Sequence, residues 1–379
     1  TYPAPYFRKG FVAQKDIKNA KVYVSGLGYY ELYLNGSKVG DHVLAPAQTN
    51  YDKRALPKLL YHYDDQSTTR TFYNTFDVTD QLKSDQNVVG MILGNGWYNQ
   101  RDRTVEGDLW YATPRLIFQM EIEYHDGEKE VIVSNDDWKV ATGPMLHDGI
   151  FTGEIYDARL ELDGWNTSAF DDSKWKLAQV VRAPTGKLEA QLAPSDKVVR
   201  TFKPAAIHKA QDGRWIIDAG EMISGWIRLK INEKSGQEIT MRFIEELGSS
   251  YGQQDIYIAN GSEKEVYEPR FTWHAFRTIE IKGLTQELTS DDLDIIVVNT
   301  DVTPVGSFHC SNELFNKIQE NYIRTQLGNF HGSISSDCPH RERLGYTGDG
   351  SILVESSIYN FDMTNFYQKW TNDMDDARN

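Results

Sequence analysis

The sequence predicts a mainly β chain: two β-sandwich domains followed by a short helical segment. Turn signals recur at intervals of roughly ten residues, with period-two apolar alternation between them, through most of the chain. Beyond Phe308 the apolar spacing becomes helical. The implied boundaries are 1–190 for an N-terminal sandwich, 195–302 for a second sandwich and 303–379 for the start of a helical domain.

In the first domain, Val22, Val24, Leu32 and Leu34 alternate with polar or small residues on either side of Gly26-Leu27-Gly28. That glycine pair lacks a third glycine and a following helical pattern, which excludes a nucleotide loop. Asn35-Gly36 is a two-residue hairpin signal between Tyr33-Leu34 and Lys38-Val39. Asn87–Leu93 reads as a buried strand, closed by an exposed loop at Gly94-Asn95-Gly96-Trp97-Tyr98. Strands follow at Arg115–Tyr124, Glu130–Ser134 and Trp138–Thr142, with Asp126-Gly127 as another hairpin turn. Gly153–Arg159 and Gly164-Trp165-Asn166 read as edge loops, and Asp136-Asp137 and Asp171-Asp172 as turn residues. Trp97, Tyr98, Trp110 and Trp165 are either a stacking platform for a sugar or ordinary packing.

Pro184 to Pro204 has little periodicity and contains Pro184, Gly186, Pro194 and Pro204, so it reads as a boundary. Trp215–Gly220 and Gly225–Ile231 read as two strands around a glycine-rich turn, and Ile239–Phe243 as a third, ending at Glu245-Glu246. Thr278–Lys282 alternates as another. Glu245 and His274 are polar enough to border a sugar site, or to be satisfied structural side chains. Val302–Phe308 reads as the final strand. Ser311 is then a helix N-cap with Glu313 in the first turn. Leu314, Ile318 and Tyr322, broadened by Phe315, mark the apolar face of a helix running toward Gly328. A later helix carries Phe366, Trp370 and Met374 at the same spacing.

The 379 residues carry a net charge of −15, which disfavours nucleic acid and anionic membrane as partners and suits a neutral ligand. No apolar run reaches the roughly 18 residues of a membrane span. Cys310 and Cys338 are expected to be free thiols. No run of acidic residues has calcium-ligand spacing, so no metal and no cofactor are expected. The chain opens at Thr1 rather than Met, as a processed N-terminus would, and periplasmic or secreted location is the expectation.

The stretch that carries chemistry is Ser335–Gly350, with Asp337, Glu342 and Asp349 among arginines, one proline and three glycines. Pro339 fixes its own φ and keeps Cys338 out of the helical region. Gly345, Gly348 and Gly350 then favour loop over helix, and a loop can bring the three carboxylates toward one point. Carboxylates accept hydroxyl hydrogen bonds and arginine donates in a planar fork, a combination suited to sugars. A carboxyl crowded by others has its pKa raised and can serve as an acid near neutral pH. A buried salt-bridge cluster pinning the loop fits the same residues.

Asp-Cys-Pro-His-Arg-Glu-Arg-Leu-Gly-Tyr-Thr-Gly-Asp, Asp337 to Asp349, resembles the signature of bacterial α-L-rhamnosidases of glycoside hydrolase family 78. Gly-Leu-Gly-Tyr-Tyr-Glu-Leu-Tyr-Leu-Asn-Gly, Leu-Gly-Asn-Gly-Trp-Tyr and Gly-Glu-Ile-Tyr-Asp-Ala-Arg resemble the N-terminal sandwich of the same family. The resemblance implies a jelly-roll sandwich, a concanavalin-like sandwich and the first helices of an (α/α)6 six-hairpin barrel. It implies an inverting glycosidase acting on a rhamnose-containing glycoside or oligosaccharide. Glu342 would be the general acid, and Asp337, Arg341 and Asp349 would hold sugar hydroxyls. The family's general base lies farther downstream, so the chain is expected to be a fragment. The alternatives are a non-catalytic carbohydrate-binding or structural module and a related (α/α)6 glycosidase with another sugar specificity.

Overall fold

The computed structural model describes residues 3–52, 68–101, 110–245 and 248–377. Glu246, expected to close a strand, lies outside them. The described residues form two compact units. The first takes in Thr1–Gly149, Leu160–Gln191 and Asp375–Asn379; the second takes in Ile150–Arg159 and Leu192–Met374.

The first unit is a sandwich of two sheets. One has the strand order Lys176–Leu177, Lys139–Thr142, Pro5–Val12, Gln86–Gly94, Tyr29–Leu34, Ser37–Lys38; the other runs Lys187–Ala190, Arg70–Asp77, Ile17–Leu27, Arg115–Tyr124, Lys129–Val133. Alternation decides which side chains meet between them: Val22, Val24, Leu32, Val89, Met91, Leu93, Phe118, Met120 and Ile122 all enter one core. Asn35 and Gly36 both take positive φ (51° and 91°), the two-residue turn that matches strand twist, and set Tyr33 opposite Lys38. Trp97 and Tyr98, expected in an exposed loop, are buried. Tyr98 stacks on Tyr111 and meets Tyr51 edge-on, so aromatic packing rather than solvent takes its ring. Trp165 is likewise buried against Tyr6 and Tyr33. Trp110 is the exposed member of the set, with Arg101 over its ring at 4.1 Å.

The second unit is organised by the strand Trp215–Ile231. What reads as two strands around a turn is one strand with a bulge: Trp215–Asp218 and Ile223–Gly225 both pair with His274–Lys282. The glycines loosen the register without reversing the chain. Around it the order is Gly153–Asp157, Gln254–Ile258, Glu238–Ile244, His274–Lys282, Trp215–Ile231, Leu293–Thr300, Asp196–Phe202. Gly153–Asp157 is therefore not an edge loop. It pairs in parallel with Gln254–Ile258, and the Gly153 backbone approaches Gln254 so closely that a Cβ would lie 2.1 Å from its carbonyl oxygen. Ile217, Ile227, Leu229, Met241, Phe243, Phe276, Ile279 and Ile295 form the core.

Three helices close the unit: α1 (Glu313–Gly328), α2 (Thr347–Asn360) and α3 (Thr364–Asp376). Val302–Phe308 is not a strand. Val305 donates to Asn360 O (2.9 Å) and Asp362 to Thr303 O (2.8 Å), so the segment zips onto the α2–α3 link instead. Asn312, not Ser311, caps α1, accepting from the Leu314 amide. The predicted apolar face of α1 points outward, with Leu314, Phe315 and Ile318 exposed. Ile323 and Leu327 pack inward with Phe330, Ile334, Phe361, Phe366 and Trp370, while Met374 is exposed. Among the described residues no helix is long and apolar enough to cross a membrane.

Candidate active site

The signature stretch starts from a small hairpin, Phe330–His331 with Ile334–Ser335. Gly332 and Ser333 both have positive φ (61° and 55°) and make its two-residue turn. This hairpin is held by buried polar groups. His331 Nδ1 meets Asp196 Oδ2 at 3.0 Å and Nε2 meets Ser224 Oγ at 2.6 Å. The Gly332 amide donates to Asp196 Oδ1 (2.9 Å), Ser333 Oγ donates to Pro194 O (2.6 Å), and Trp273 stacks on the imidazole at 4.6 Å.

From Asp337 the chain makes a closed loop. The Asp337 amide donates to Leu344 O and the Arg343 amide to Cys338 O (3.2 Å), so residues 339–342 form a turn, as the proline predicts. The loop does not run on through the glycines. Gly348 and Gly350 lie in the first turn of α2. Gly350 is there for close approach: a Cβ would lie 1.9 Å from the Trp370 ring. This corrects the expectation that Asp337, Glu342 and Asp349 converge. Asp337 and Glu342 come together with Cys338, their ligand atoms within 4.8 Å of one another. Asp349 stands exposed on the α2 N-terminal turn and takes no part in the hydrogen bonds of that trio.

Glu342 is the centre of the cluster. Cys338 Sγ donates to its Oε2 at 2.7 Å, and Arg341 Nε lies 2.6 Å from its Oε1. Burial acts to raise its pKa, but the hydrogen bonds from Arg341, Cys338 and Asp337 outweigh it and hold the carboxyl down to about 2. Asp337 moves the other way, pushed up by burial and by the neighbouring Glu342 charge. Carboxylate crowding thus acts as expected, but on the other residue: it raises Asp337, while hydrogen bonds hold Glu342 down. Burial, with Glu342 beside it, pushes the Cys338 thiol up to about 11. Asp337, Cys338 and Glu342 have the spacing of three metal ligands, and in this structure the Cys338 thiol donates to Glu342. Both cysteines are free.

Two residues that sequence reasoning left uncertain separate here. His274 is fully buried, bonded to Asp255 Oδ1 at 2.9 Å and stacked on Phe243, and is structural. Glu245 reaches the signature loop, with His340 Nε2 3.1 Å from its Oε2. Burial, with Arg343 and Arg341 adding to it, pulls His340 down to about 4, so at neutral pH this contact is a neutral imidazole donating to a carboxyl rather than an ion pair. Sequence reasoning missed Arg343 altogether. Its burial, at 2% exposure, has no signal in a motif already crowded with charge.

Three family models of one kind cover the chain: alpha-L-rhamnosidase N-terminal domain at residues 15–200, bacterial alpha-L-rhamnosidase concanavalin-like domain at 208–299, and bacterial alpha-L-rhamnosidase 6 hairpin glycosidase domain at 303–379. An alpha-L-rhamnosidase of Formosa agariphila is 38% identical over 393 residues, matching 98% of this chain and 40% of that protein. The structure of alpha-L-rhamnosidase from Dictyoglumus thermophilum superposes with a TM-score of 0.90 at 41% identity, over 100% of this chain and 41% of that one. The Streptomyces avermitilis alpha-L-rhamnosidase complexed with L-rhamnose superposes at 0.91 with 30% identity, over 100% of this chain and 36% of that one. The chain thus spans about two-fifths of the length of these relatives. Sheets, helices and signature loop agree with one assignment: the chain belongs to the bacterial α-L-rhamnosidase family of glycoside hydrolases.

Proposed function

We propose that this chain forms part of an inverting hydrolase that releases terminal α-L-rhamnose, with Glu342 as general acid. The observation that carries the reading is the meeting of Glu342, Asp337 and Arg341 in one loop of the six-hairpin segment. In the reaction the glycosidic C–O bond breaks and the acid's proton goes to the departing oxygen. Water forms the new bond to the anomeric carbon from the opposite face and loses its proton to a separate base about 6.5–9.5 Å away. That base is not assigned to a residue of this chain.

Glu342 is ionised as the loop stands, so it must gain a proton before it can donate one. Arg341 is half exposed and is the main partner holding Glu342 low. Sugar hydroxyls that draw Arg341 and Asp337 into their own hydrogen bonds leave Glu342 to its burial, which raises it. Arg341 and Asp337 then act on substrate and on acid together. Asp349, exposed beside this loop, is the third hydroxyl partner in the reading. The test is Glu342→Gln in the full-length protein. We expect kcat on rhamnosides with poor leaving groups to fall by about 10²–10⁴-fold, with the fold intact by circular dichroism. Unchanged turnover on those substrates removes the acid assignment.

A further inference from the structure

Arg343 adjoins Glu342 and is one of the largest fully buried side chains of the molecule. Its backbone sits at φ 58°, a conformation a non-glycine residue keeps only when its surroundings enforce it. The surroundings are plain. Nη1 donates to Trp273 O at 2.8 Å and to Ile150 O, and Nη2 donates to Gln253 Oε1 at 2.9 Å. The guanidinium lies over the Trp273 ring at 4.7 Å and over Phe151 at 5.5 Å. Gln253 is itself fixed by a reciprocal pair with Ala275, accepting at 2.8 Å and donating at 3.0 Å. On the other side of Glu342, His340 is bonded to Glu245 and lies 4.5 Å from the Tyr251 ring. Glu245 and Gln253 stand at the two ends of one connection, between the strands Glu238–Ile244 and Gln254–Ile258. The residues on both sides of the acid, His340 and Arg343, are therefore held at the two ends of one strand connection.

We propose that Arg343 is the positioning residue of the proton donor: by locking its planar fork into acceptors that flank the strands of the sheet, it sets the direction in which the Glu342 carboxyl leaves the loop. The inference rests on Glu342 being the acid. Proton transfer tolerates little misplacement, and a 1 Å error can cost about 10²-fold. Lysine keeps the charge but cannot reproduce the fork.

The experiment compares Arg343→Lys, Gln253→Ala and Glu342→Gln in the full-length protein on two rhamnosides, one with a dinitrophenyl leaving group that needs no acid and one with an alkyl leaving group that does. Positioning predicts that Arg343→Lys lowers kcat on the alkyl substrate by about 10–100-fold and on the dinitrophenyl substrate by less than about 3-fold, with KM little changed. The ratio of the two rates does not depend on the folded fraction, so a merely structural role leaves it where it was. Should Arg343→Lys fail to fold, Gln253→Ala, which removes one acceptor and keeps the arginine, is read by the same ratio. If Glu342→Gln is selective for the alkyl substrate and the arginine and glutamine variants are not, the positioning role is wrong and the acid assignment stands. If Glu342→Gln itself loses both substrates equally, the acid assignment falls and this inference goes with it.

Discussion

The loop that carries Asp337 and Glu342 has two unlike shoulders. Before it, the hairpin Phe330–Ser335 is buried and pinned by Asp196, Ser224, Thr300 and Pro194. After it, α2 leaves Ile352 81% and Tyr359 68% exposed. Both shoulders join glycine to mixed polar and apolar residues, so composition does not tell them apart. The difference lies in where their polar groups go. On the first shoulder buried donors and acceptors close on one another, and Asp337, at its end, has an environment definite enough to raise its pKa. On the second, Asp349 faces outward from a helix end. One wall of the site is built within this chain, and the other is open in it.

That contrast can be broken most forcefully at Asp196, whose two oxygens serve His331, the Gly332 amide and Thr300 Oγ1. Asp196→Ala leaves these buried partners without their acceptor and is expected to cost about 3–5 kcal/mol in urea denaturation. Asp349→Ala on the open shoulder should stay within about 0.5 kcal/mol. Equal losses would mean that the two shoulders are not differently built.

A smaller effect sharpens the comparison at the loop itself. Glu342 is held down to about 2, so its stabilisation is present above the ordinary glutamate value of about 4.3 and drains away as pH falls below it. Asp337 is raised, so its contribution is full below the ordinary aspartate value of about 3.9 and is lost as pH rises through the raised value. Glu342→Gln should therefore lower the urea midpoint more at about pH 7 than at about pH 3. Asp337→Asn should raise the midpoint relative to the parent at about pH 7 and lose that advantage at about pH 3. A common direction for both variants would overturn the opposite shifts of the two carboxyls.

Much of this was legible in the chain because period-two alternation and Asn35-Gly36 or Asp126-Gly127 turns are local signals, and local signals fix strands. The signature motif located the loop, and Pro339 its turn. What the sequence hid depended on partners far away. Gly153–Asp157 reads as a loop until Gln254–Ile258 is beside it. Gly350 reads as a helix breaker until Trp370 needs the space. Glu342 reads as the crowded, neutral carboxyl until Arg341 and Cys338 are seen bonded to it. On α1 the periodicity of Leu314, Phe315 and Ile318 correctly marks an apolar face, but burial within this chain follows Ile323 and Leu327. Periodicity reports that a face wants a partner and says nothing of which partner it has.

The smallest expected effect tests that last point. Ile352 is the most exposed large apolar side chain on α2. An exposed isoleucine gains nothing from burial, so Ile352→Ser in this 379-residue chain should change stability by no more than about 0.5 kcal/mol while improving solubility. A loss above about 1 kcal/mol would show that the face is already covered in solution. Such a loss would grow with protein concentration if a second copy supplies the cover, because binding to the folded state stabilises it by mass action. A concentration-independent loss would place the cover within the chain itself and overturn the picture of an open shoulder.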